Sequence, residues 1–372
     1  MALHWARLLH QAGHRVILAD SLRLPIARAT RFKARYVRLP APRDDLPTYA
    51  KAIETLVREE KCDLVIPTCE EVFYLAAARD LLGANFELFA PPFTMLAQTH
   101  NKFRFAKMAA NFDMAPKETI LLNDIGDLAT FKRLSVNYVF KPIWSRFGER
   151  VLVCPSSDEL ATVNPTPTDP WVAQSYLPGE ELCCWAMAYQ GKLVALQAYR
   201  PLYRAGQGAS LAFEHACHQT IDKFVEAFVQ KTNWHGQISF DFKHDENNQL
   251  KVIECNPRGT SGIHFFGQHD QLPRSILGQV TSKASGRGKM TLPLAMLAYG
   301  LPFAFGHQGV AQWFKDFRSM TDIAAWPADR NMLLPQIASL AEIAVNAVRK
   351  RKGLKATATD DIEWNGEDLL RR

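Results

Sequence analysis

The sequence predicts an α/β protein that begins with a doubly wound parallel sheet and ends in a mostly helical region. Over residues 1–95, apolar strand-like segments alternate with segments of helical periodicity, as in a parallel sheet covered by helices. From residue 171 onwards, apolar segments follow one another with turn residues between them, which indicates antiparallel strands. Beyond Gly267 the periodicity is mostly helical.

The N-terminal segments alternate in a regular order. Helical periodicity is found in MALHWARLLHQAG, DLPTYAKAIETLVREEK and EEVFYLAAARDLL, whereas HRVILAD, DLVIP and FELFA are strand-like. A doubly wound sheet ordinarily opens with a central strand, but this sequence opens with a helix. We therefore expect that the first strand is missing here and that the native product starts upstream of Met1, by about ten residues for one strand and one turn.

The remaining segments predict a helix, several antiparallel strands and a helical extension. A helix in NKFRFAKMAANFD and a strand in NYVFKP precede three strands in WVAQSYLPGEELCCWAMAYQGKLVALQAYR. The segment GQISFDFKHDENNQLKVIECNP has the pattern of a hairpin that turns at DENNQ. Near the end, the basic run Arg349–Lys352 suits the C-terminus of a helix, and docking to a membrane surface or a partner is the alternative.

Composition narrows the class of protein. The 372 residues are 47% hydrophobic and carry a formal net charge of +6, which suits anionic ligands but is too small to predict a nucleic-acid partner. Seven cysteines without a C-x-x-C pair indicate a reduced, cytoplasmic protein. Cys217 lies between His215 and His218, but no second cluster follows, so we do not expect zinc. No apolar run is long enough to predict a transmembrane segment.

The segment PTCEE follows the predicted strand DLVIP and therefore lies where ligands bind in doubly wound sheets. Thr68 and Glu71 have the spacing of a helix capping box. A contact from Glu70 or Glu71 to a substrate or a lid is the alternative interpretation.

Three polar side chains are expected to converge where the hairpin strands end. Asp241 and Glu254 are about equally distant from the turn near Asn247, so they should be cross-strand neighbours. Asn256 lies two residues after Glu254 and returns to the same face of the strand. Hard oxygen ligands of this kind suit Mg²⁺ (or Mn²⁺) with nucleotide phosphates rather than zinc. Arg258 adds a permanently charged, forked donor for phosphate or carboxylate.

Two lysines and a glutamate suit the same site. Lys141 ends an apolar strand, where a lysine is unusual without a partner such as a triphosphate. Lys102 lies near a helix start, and Glu181 follows a turn from which it could accept hydrogen bonds from a ribose. Each of these residues, taken alone, is also compatible with a purely structural role.

In their order along the chain, these features resemble those of ATP-grasp enzymes of the carboxylate–amine ligase type. The matching segments are HNKFRF, VFKP, VAQSYLPGEE, GQISFDF and IECNPR. The resemblance implies a Rossmann-like pre-ATP-grasp domain over residues 1–95 and a small ATP-grasp lobe over 96–172. It further implies a large lobe with the metal site over 173–268 and a mostly helical C-terminal extension over 269–372.

The resemblance also implies residue roles. The residues that would bind ATP are Lys102, Lys141, Gln174, Tyr176, Leu177 and Glu181. The lysines would contact phosphates, the hinge around Gln174 would receive adenine, and Glu181 would bind ribose. The metal ligands would be Asp241, Glu254 and Asn256. The catalytic residues would be Arg258 and Lys141, with Arg258 placed to meet the transferred phosphate or the acyl substrate.

The activity implied by the resemblance is that of an ATP-dependent ligase, which converts a carboxylate into an acyl phosphate, couples it to an amine and releases ADP and phosphate. Its partners would be small-molecule carboxylates and amines, and a homodimer is compatible with the resemblance. The alternatives are a non-amine acceptor (a thiol, bicarbonate or a phosphoryl-transfer acceptor) and a non-catalytic ATP-binding module. A dinucleotide oxidoreductase is disfavoured because no G-x-G-x-x-G follows a first strand.

One loop departs from the pattern of the family, and a second loop has two possible roles. Many relatives have a glycine-rich loop over the phosphates, whereas SRFGER offers Arg146 and Arg150 instead. The segment after LVALQAY contains Arg200, Arg204 and AGQGAS, which predicts either a mobile lid over the phosphates or a plain surface loop.

Overall fold

The computed structural model describes residues 1–131, 133–146, 148, 150–204, 210–306, 309–329 and 331–370. The strands are β1 Ile17–Asp20, β2 Arg35–Arg38, β3 Thr119–Leu122, β4 Tyr138–Pro142, β5 Leu152–Val153, β6 Trp171–Ser175, β7 Glu181–Tyr189, β8 Lys192–Arg204, β9 Ser210–Ala216, β10 Gly236–His244, β11 Leu250–Asn256, β12 Lys289–Thr291 and β13 Thr321–Asp322.

The α-helices are α1 Ala2–Gln11, α2 Leu46–Glu60, α3 Glu71–Leu82, α4 Phe93–His100, α5 Lys102–Ala110, α6 Ser157–Leu160, α7 Gln219–Lys231, α8 Leu272–Ser275, α9 Pro293–Ala295, α10 Leu301–Gly306, α11 Val310–Ser319, α12 Leu333–Lys350 and α13 Leu354–Thr357. Short 3₁₀ segments cover Ile26–Ala29, Ile125–Phe131, Ser135–Asn137 and Ser261–Phe265, and one π-helical turn covers Met296–Gly300. Within the described ranges, no helix has the length and apolar character needed to cross a membrane.

The larger of the sheets has seven strands in the order β11-β10-β7-β8-β9-β12-β13. Its strands from β7 to β11 are antiparallel, as the turn residues in the sequence predict. A second, four-stranded sheet has the order β3-β6-β4-β5. The two sheets meet where the ammonium group of Lys141 on β4 donates a hydrogen bond to the carbonyl of Ile253 on β11, at 3.2 Å.

The N-terminal part contains fewer strand residues than the sequence predicts. Strands β1 and β2 pair in parallel, but DLVIP and FELFA form only a single parallel bridge, between Val65 and Leu88. Proline has no N–H donor, so Pro67 and the Pro91-Pro92 pair cannot extend this ladder. The expectation of a further strand upstream of Met1 stays a prediction.

The N-terminal helices begin where the sequence offers capping side chains. The carboxylate of Asp45 accepts a hydrogen bond from the N–H of Thr48 at the start of α2. At the start of α3 only half of the predicted capping box forms. The carboxylate of Glu71 accepts from the N–H of Thr68, at 2.6 Å, but the cap residue is Glu70 and no side chain caps the helix in return. Glu70 is thereby left available for other contacts.

A segment close to the C-terminus completes the core of the N-terminal helices. Trp364 is only 4% exposed, and its ring centroid lies 5.2 Å from that of Phe73 on α3 and 5.0 Å from that of Trp144. The hydroxyl of Tyr74 donates to the carbonyl of Glu363 at 2.7 Å. The predicted helical extension therefore ends in an irregular segment that packs back on α3.

Candidate functional site

The hairpin β10–β11 brings two carboxylates together. Side chains alternate along β10, so the fully buried Phe240 and Phe242 anchor one face in the core and Asp241 points to the other. Asp241 is the direct cross-strand partner of Glu254, and a register shift follows at Phe242. This confirms the pairing that the sequence predicts. Asn256, opposite Ser239, completes the set.

Asp241 lies in a buried site where neighbouring carboxylates disfavour its charged form. Burial, the charge of Glu254 and the charge of Glu181 raise the pKa of Asp241 to about 6. The amide of Asn256 donates to Asp241 at 3.0 Å, and its oxygen accepts from Arg258 at 3.1 Å. In the described part of the chain, no three His, Cys, Asp or Glu side chains are grouped to hold a metal ion. The candidate cation site therefore comprises two carboxylates and one amide.

Lys102 reaches this site from the first turn of α5. Asn101 caps that helix by accepting from the N–H of Arg104, which fixes the position of Lys102. The ammonium group of Lys102 lies 3.5 Å from Glu254 Oε1 and also donates to the carbonyl of Ser145. Burial lowers the pKa of Lys102, although Glu254 opposes the shift.

Lys141 reaches the site from β4. Its ammonium group donates to Gln174 Oε1 at 3.0 Å as well as to β11, and the residue is only 5% exposed. Burial lowers the pKa of Lys141 to about 8, against the opposing charge of Glu254. The two buried lysines thus lie beside the two partly exposed carboxylates, and Lys102 forms an ion pair with Glu254.

The predicted adenine hinge lies at the end of β6. Gln174 is buried and its amide donates to Thr119 Oγ1 at 3.2 Å, Leu177 is buried, and the ring of Tyr176 is 36% exposed. Lys243 Nζ lies 5.3 Å from the centroid of the Tyr176 ring. Glu181, the predicted ribose ligand, forms an ion pair with Arg204.

Glu70 is the functional candidate that sequence reasoning did not single out. It is fully buried, and its carboxylate lies 2.7 Å from Arg146 Nε and 3.4 Å from Arg258 Nε. Burial raises the pKa of Glu70 although both arginines oppose this shift. The signal in the sequence was PTCEE at a strand end, where Glu70 and Glu71 could not be told apart.

The two arginines of the loop after β4 bind carboxylates of the protein. Arg146 donates to Glu363 Oε2 at 2.7 Å, to the carbonyl of Trp364 at 2.9 Å and to Asn365 Oδ1 at 2.9 Å. Arg150 makes a bidentate pair with Asp169, with both distances 2.7 Å. Phe147, Glu149 and residues 205–209 lie outside the described residues, so the predicted loop and lid over the phosphates remain predictions.

No family model matches the sequence, and no curated protein sequence does either. Solved structures do match. N5-carboxyaminoimidazole synthetase from Staphylococcus aureus, complexed with ADP, is 15% identical with a TM-score of 0.61, over 81% of this chain and 82% of that one. The biotin carboxylase domain dimer of Hydrogenobacter thermophilus 2-oxoglutarate carboxylase, with MgADP, ADP and bicarbonate, is 13% identical with a TM-score of 0.56, over 70% and 62%.

A third similar structure is the L-amino acid ligase from Bacillus licheniformis, which is 17% identical with a TM-score of 0.51, over 69% of this chain and 64% of that one. The chain thus spans less than two thirds of the length of the carboxylase domain and of the amino acid ligase. At these identities the similarity is one of fold. This chain has the ATP-grasp fold, with an N-terminal α/β part and a mostly helical C-terminal extension, as its ordered motifs predict.

Proposed function

We propose that this chain is an ATP-dependent ligase that activates a carboxylate as an acyl phosphate and couples it to an amine, releasing ADP and phosphate. One observation carries the proposal: Asp241 and Glu254 pair across the hairpin, with Lys102 3.5 Å from Glu254. The similar structures agree with it in outline, since one contains ADP, another contains MgADP, and a third is named an L-amino acid ligase.

The proposed cofactors are ATP and Mg²⁺ (or Mn²⁺). Asp241, Glu254 and Asn256 would hold the cation, and two adjacent carboxylates whose mutual repulsion contributes to a raised pKa suit a divalent cation between them. The amide of Asn256 would have to turn, because its NH₂ group rather than its oxygen faces Asp241 here. When bound, the cation would neutralise phosphate charge.

The remaining site residues would manage charge and orientation. A carboxylate that approaches ATP is repelled, and Lys102 and Lys141 would reduce this repulsion at the phosphates. Arg258 would hold the transferred phosphate or the acyl substrate through its forked donors. The residues proposed to hold the nucleoside are Gln174, Tyr176, Leu177 and Glu181.

We also propose the division of the chain given by its motifs. The pre-ATP-grasp domain would cover residues 1–95, the small lobe 96–172, the large lobe 173–268 and the extension 269–372. The four-stranded sheet β3-β6-β4-β5 keeps β6 with the small lobe and so favours a boundary a few residues later, after Ser175, while β12 and β13 add strands from the extension to the large sheet.

The test is ADP release from ATP, screened across pools of carboxylates and amines, with Glu254→Gln as the inactive control. ADP and phosphate that appear only when both a carboxylate and an amine are present support the proposal. AMP and pyrophosphate as stoichiometric products contradict it. ATP binding without turnover in any pool would indicate a non-catalytic ATP-binding module.

A bicarbonate-dependent reaction is the second candidate, because one similar structure contains bicarbonate and is a carboxylase domain. The same assay separates the two. ADP release that requires bicarbonate, and needs no other carboxylate, would favour the second candidate over the first.

A further inference from the structure

Most of the large apolar side chains of α12 face solvent, whereas two of its polar side chains face the protein. Leu334 is 71% exposed and Val348 is 79% exposed, whereas Gln336 and Ser339 are buried. This is the reverse of the usual arrangement, in which the apolar face of a helix packs on the core. The strongly exposed large apolar residues of the helix are Leu333, Leu334, Ile337, Leu340, Val345 and Val348.

These side chains form one continuous strip. At 3.6 residues per turn they fall within an arc of about 140°, and the 18-residue helix is about 27 Å long. Between Leu333 and Val348 the sequence has one charged residue, Glu342, and it lies outside that arc. A contiguous apolar surface of this kind marks an interaction site.

Exposed arginines flank the strip. Arg349 and Arg351 at the C-terminal end of α12 are exposed, and within the described ranges neither forms an ion pair. At the middle of the helix, Glu342 accepts hydrogen bonds from the N–H groups of Arg23 and Leu24, at 2.8 and 2.7 Å. Arg23 is exposed and Leu24 is 44% exposed, so this segment adds both charge and apolar surface beside the strip.

We propose that α12 docks this protein on an anionic membrane surface. The apolar strip would enter the boundary between headgroups and acyl chains, while Arg23, Arg349 and Arg351 would bind lipid phosphates and carboxylates. The helix lies in the surface plane in this arrangement and does not cross the bilayer. The inference is independent of the ligase proposal, because it uses none of the residues of the candidate site.

A second copy of the chain fits this surface less well. The strip consists of six apolar side chains, whereas a stable protein interface buries about 800 Å² of accessible surface and roughly 20–30 residues on each partner. A two-fold interface would also bury the same basic flanks on both protomers. A lipid surface requires neither the larger area nor an acidic counterpart on the protein.

The experiment is flotation of the full chain with vesicles of phosphatidylcholine alone and of phosphatidylcholine with 30% phosphatidylserine (about one anionic lipid in three). We expect binding to the anionic vesicles that weakens as salt is raised. The double substitution Arg349→Gln/Arg351→Gln should lower the vesicle partition coefficient roughly thirtyfold, because each arginine contributes about 1 kcal/mol to binding an anionic surface. Leu334→Gln/Val348→Gln should abolish binding. Ile125→Gln, at a 65% exposed apolar residue elsewhere, is the matched control.

Thermal melts establish that each variant folds, which keeps the vesicle results interpretable. Failure of the wild-type chain to float with anionic vesicles overturns the proposal. Equal loss of binding in Ile125→Gln also overturns it, because the strip would not be specific. A dimer in solution that Leu334→Gln/Val348→Gln converts to a monomer would assign the strip to a second copy instead.

Discussion

Asp241 on β10 and Glu254 on β11 stand directly opposite each other, although thirteen positions and a tight turn separate them in the sequence. We predict that Glu254→Gln abolishes ATP turnover and leaves the fold intact. The change keeps the shape of the side chain but removes the charge that would hold the cation and face Lys102. The loss should exceed about a hundredfold, or roughly 2.7 kcal/mol in barrier height.

The control for this prediction is Glu246→Gln, which removes the same charge from the exposed turn of the same hairpin. It should retain wild-type turnover. If Glu254→Gln keeps turnover within about tenfold of wild type, Glu254 is not a metal ligand.

Lys141→Met should weaken ATP binding without destabilising the free protein. The lysine is buried, and its pKa is lowered to about 8, so its charged form is disfavoured in the fold. Methionine fills a similar volume and has no charge to desolvate. Melting temperatures with and without ATP check this: the shift caused by ATP should largely disappear, while the melting temperature of the free protein stays level or rises. A large drop for the free protein would make Lys141 a structural residue.

The stability of the fold should fall as the pH decreases, partly because of His4. Burial lowers the pKa of His4 to about 3, while its ring nitrogen bonds the carbonyl of Phe266 at 2.9 Å. Because the folded pKa is depressed, the contribution of neutral His4 is complete above the unfolded value of 6.5 and is lost as the pH falls towards 3. Between pH 7 and 5 this amounts to about 2 kcal/mol.

Urea unfolding of wild type and His4→Gln at pH 7, 6 and 5 measures this contribution. The wild type should lose about 2 kcal/mol more than His4→Gln between pH 7 and 5. His10→Gln, at an exposed position of the same helix, should keep the wild-type slope. Parallel slopes for all three proteins would refute the assignment to His4.

Trp364→Ala should destabilise the protein by about 3–5 kcal/mol, the range for removal of a large buried aromatic side chain. The ring is 4% exposed and packs against Phe73, Phe93 and Trp144. Leu370→Ala, at a 57% exposed position of the same segment, should change stability by less than about 0.5 kcal/mol. Equal melting temperatures for Trp364→Ala and wild type would mean that the segment does not pack as described.

The sequence predicts those parts of the site that depend on local spacing. The hairpin register follows from a turn and the alternation along two strands, so the pairing of Asp241 with Glu254 could be predicted. Contacts between segments that are distant in the sequence could not be predicted in this way. Glu70 and Arg146 are far apart in sequence and meet only through the packing of α3 against the loop after β4. Glu363 and Asn365 join them from a distant segment for which the sequence predicts no contact with this site.

The same reasoning explains the differences in the N-terminal part. DLVIP and FELFA have the composition of strands. A strand also requires a neighbour whose backbone groups complete a ladder of hydrogen bonds, and these two segments share only the bridge between Val65 and Leu88. For α12 the periodicity was readable, but which face packs on the protein is set by tertiary contacts. The apolar face, which sequence reasoning would place inward, lies outward.

The docking of Trp364 on α3 also has a consequence for biosynthesis. The hydroxyl of Tyr74 donates to the carbonyl of Glu363, which lies 289 positions later in the sequence. The neighbouring Phe73 packs on the indole of Trp364. During translation the N-terminal helices emerge from the ribosome long before these partners exist. The part of their apolar surface that Trp364 covers stays exposed until that residue has been made and has left the ribosome, and such surfaces promote aggregation. We expect the newly made chain to depend on chaperones during this interval and to become protease-resistant only once this segment has docked.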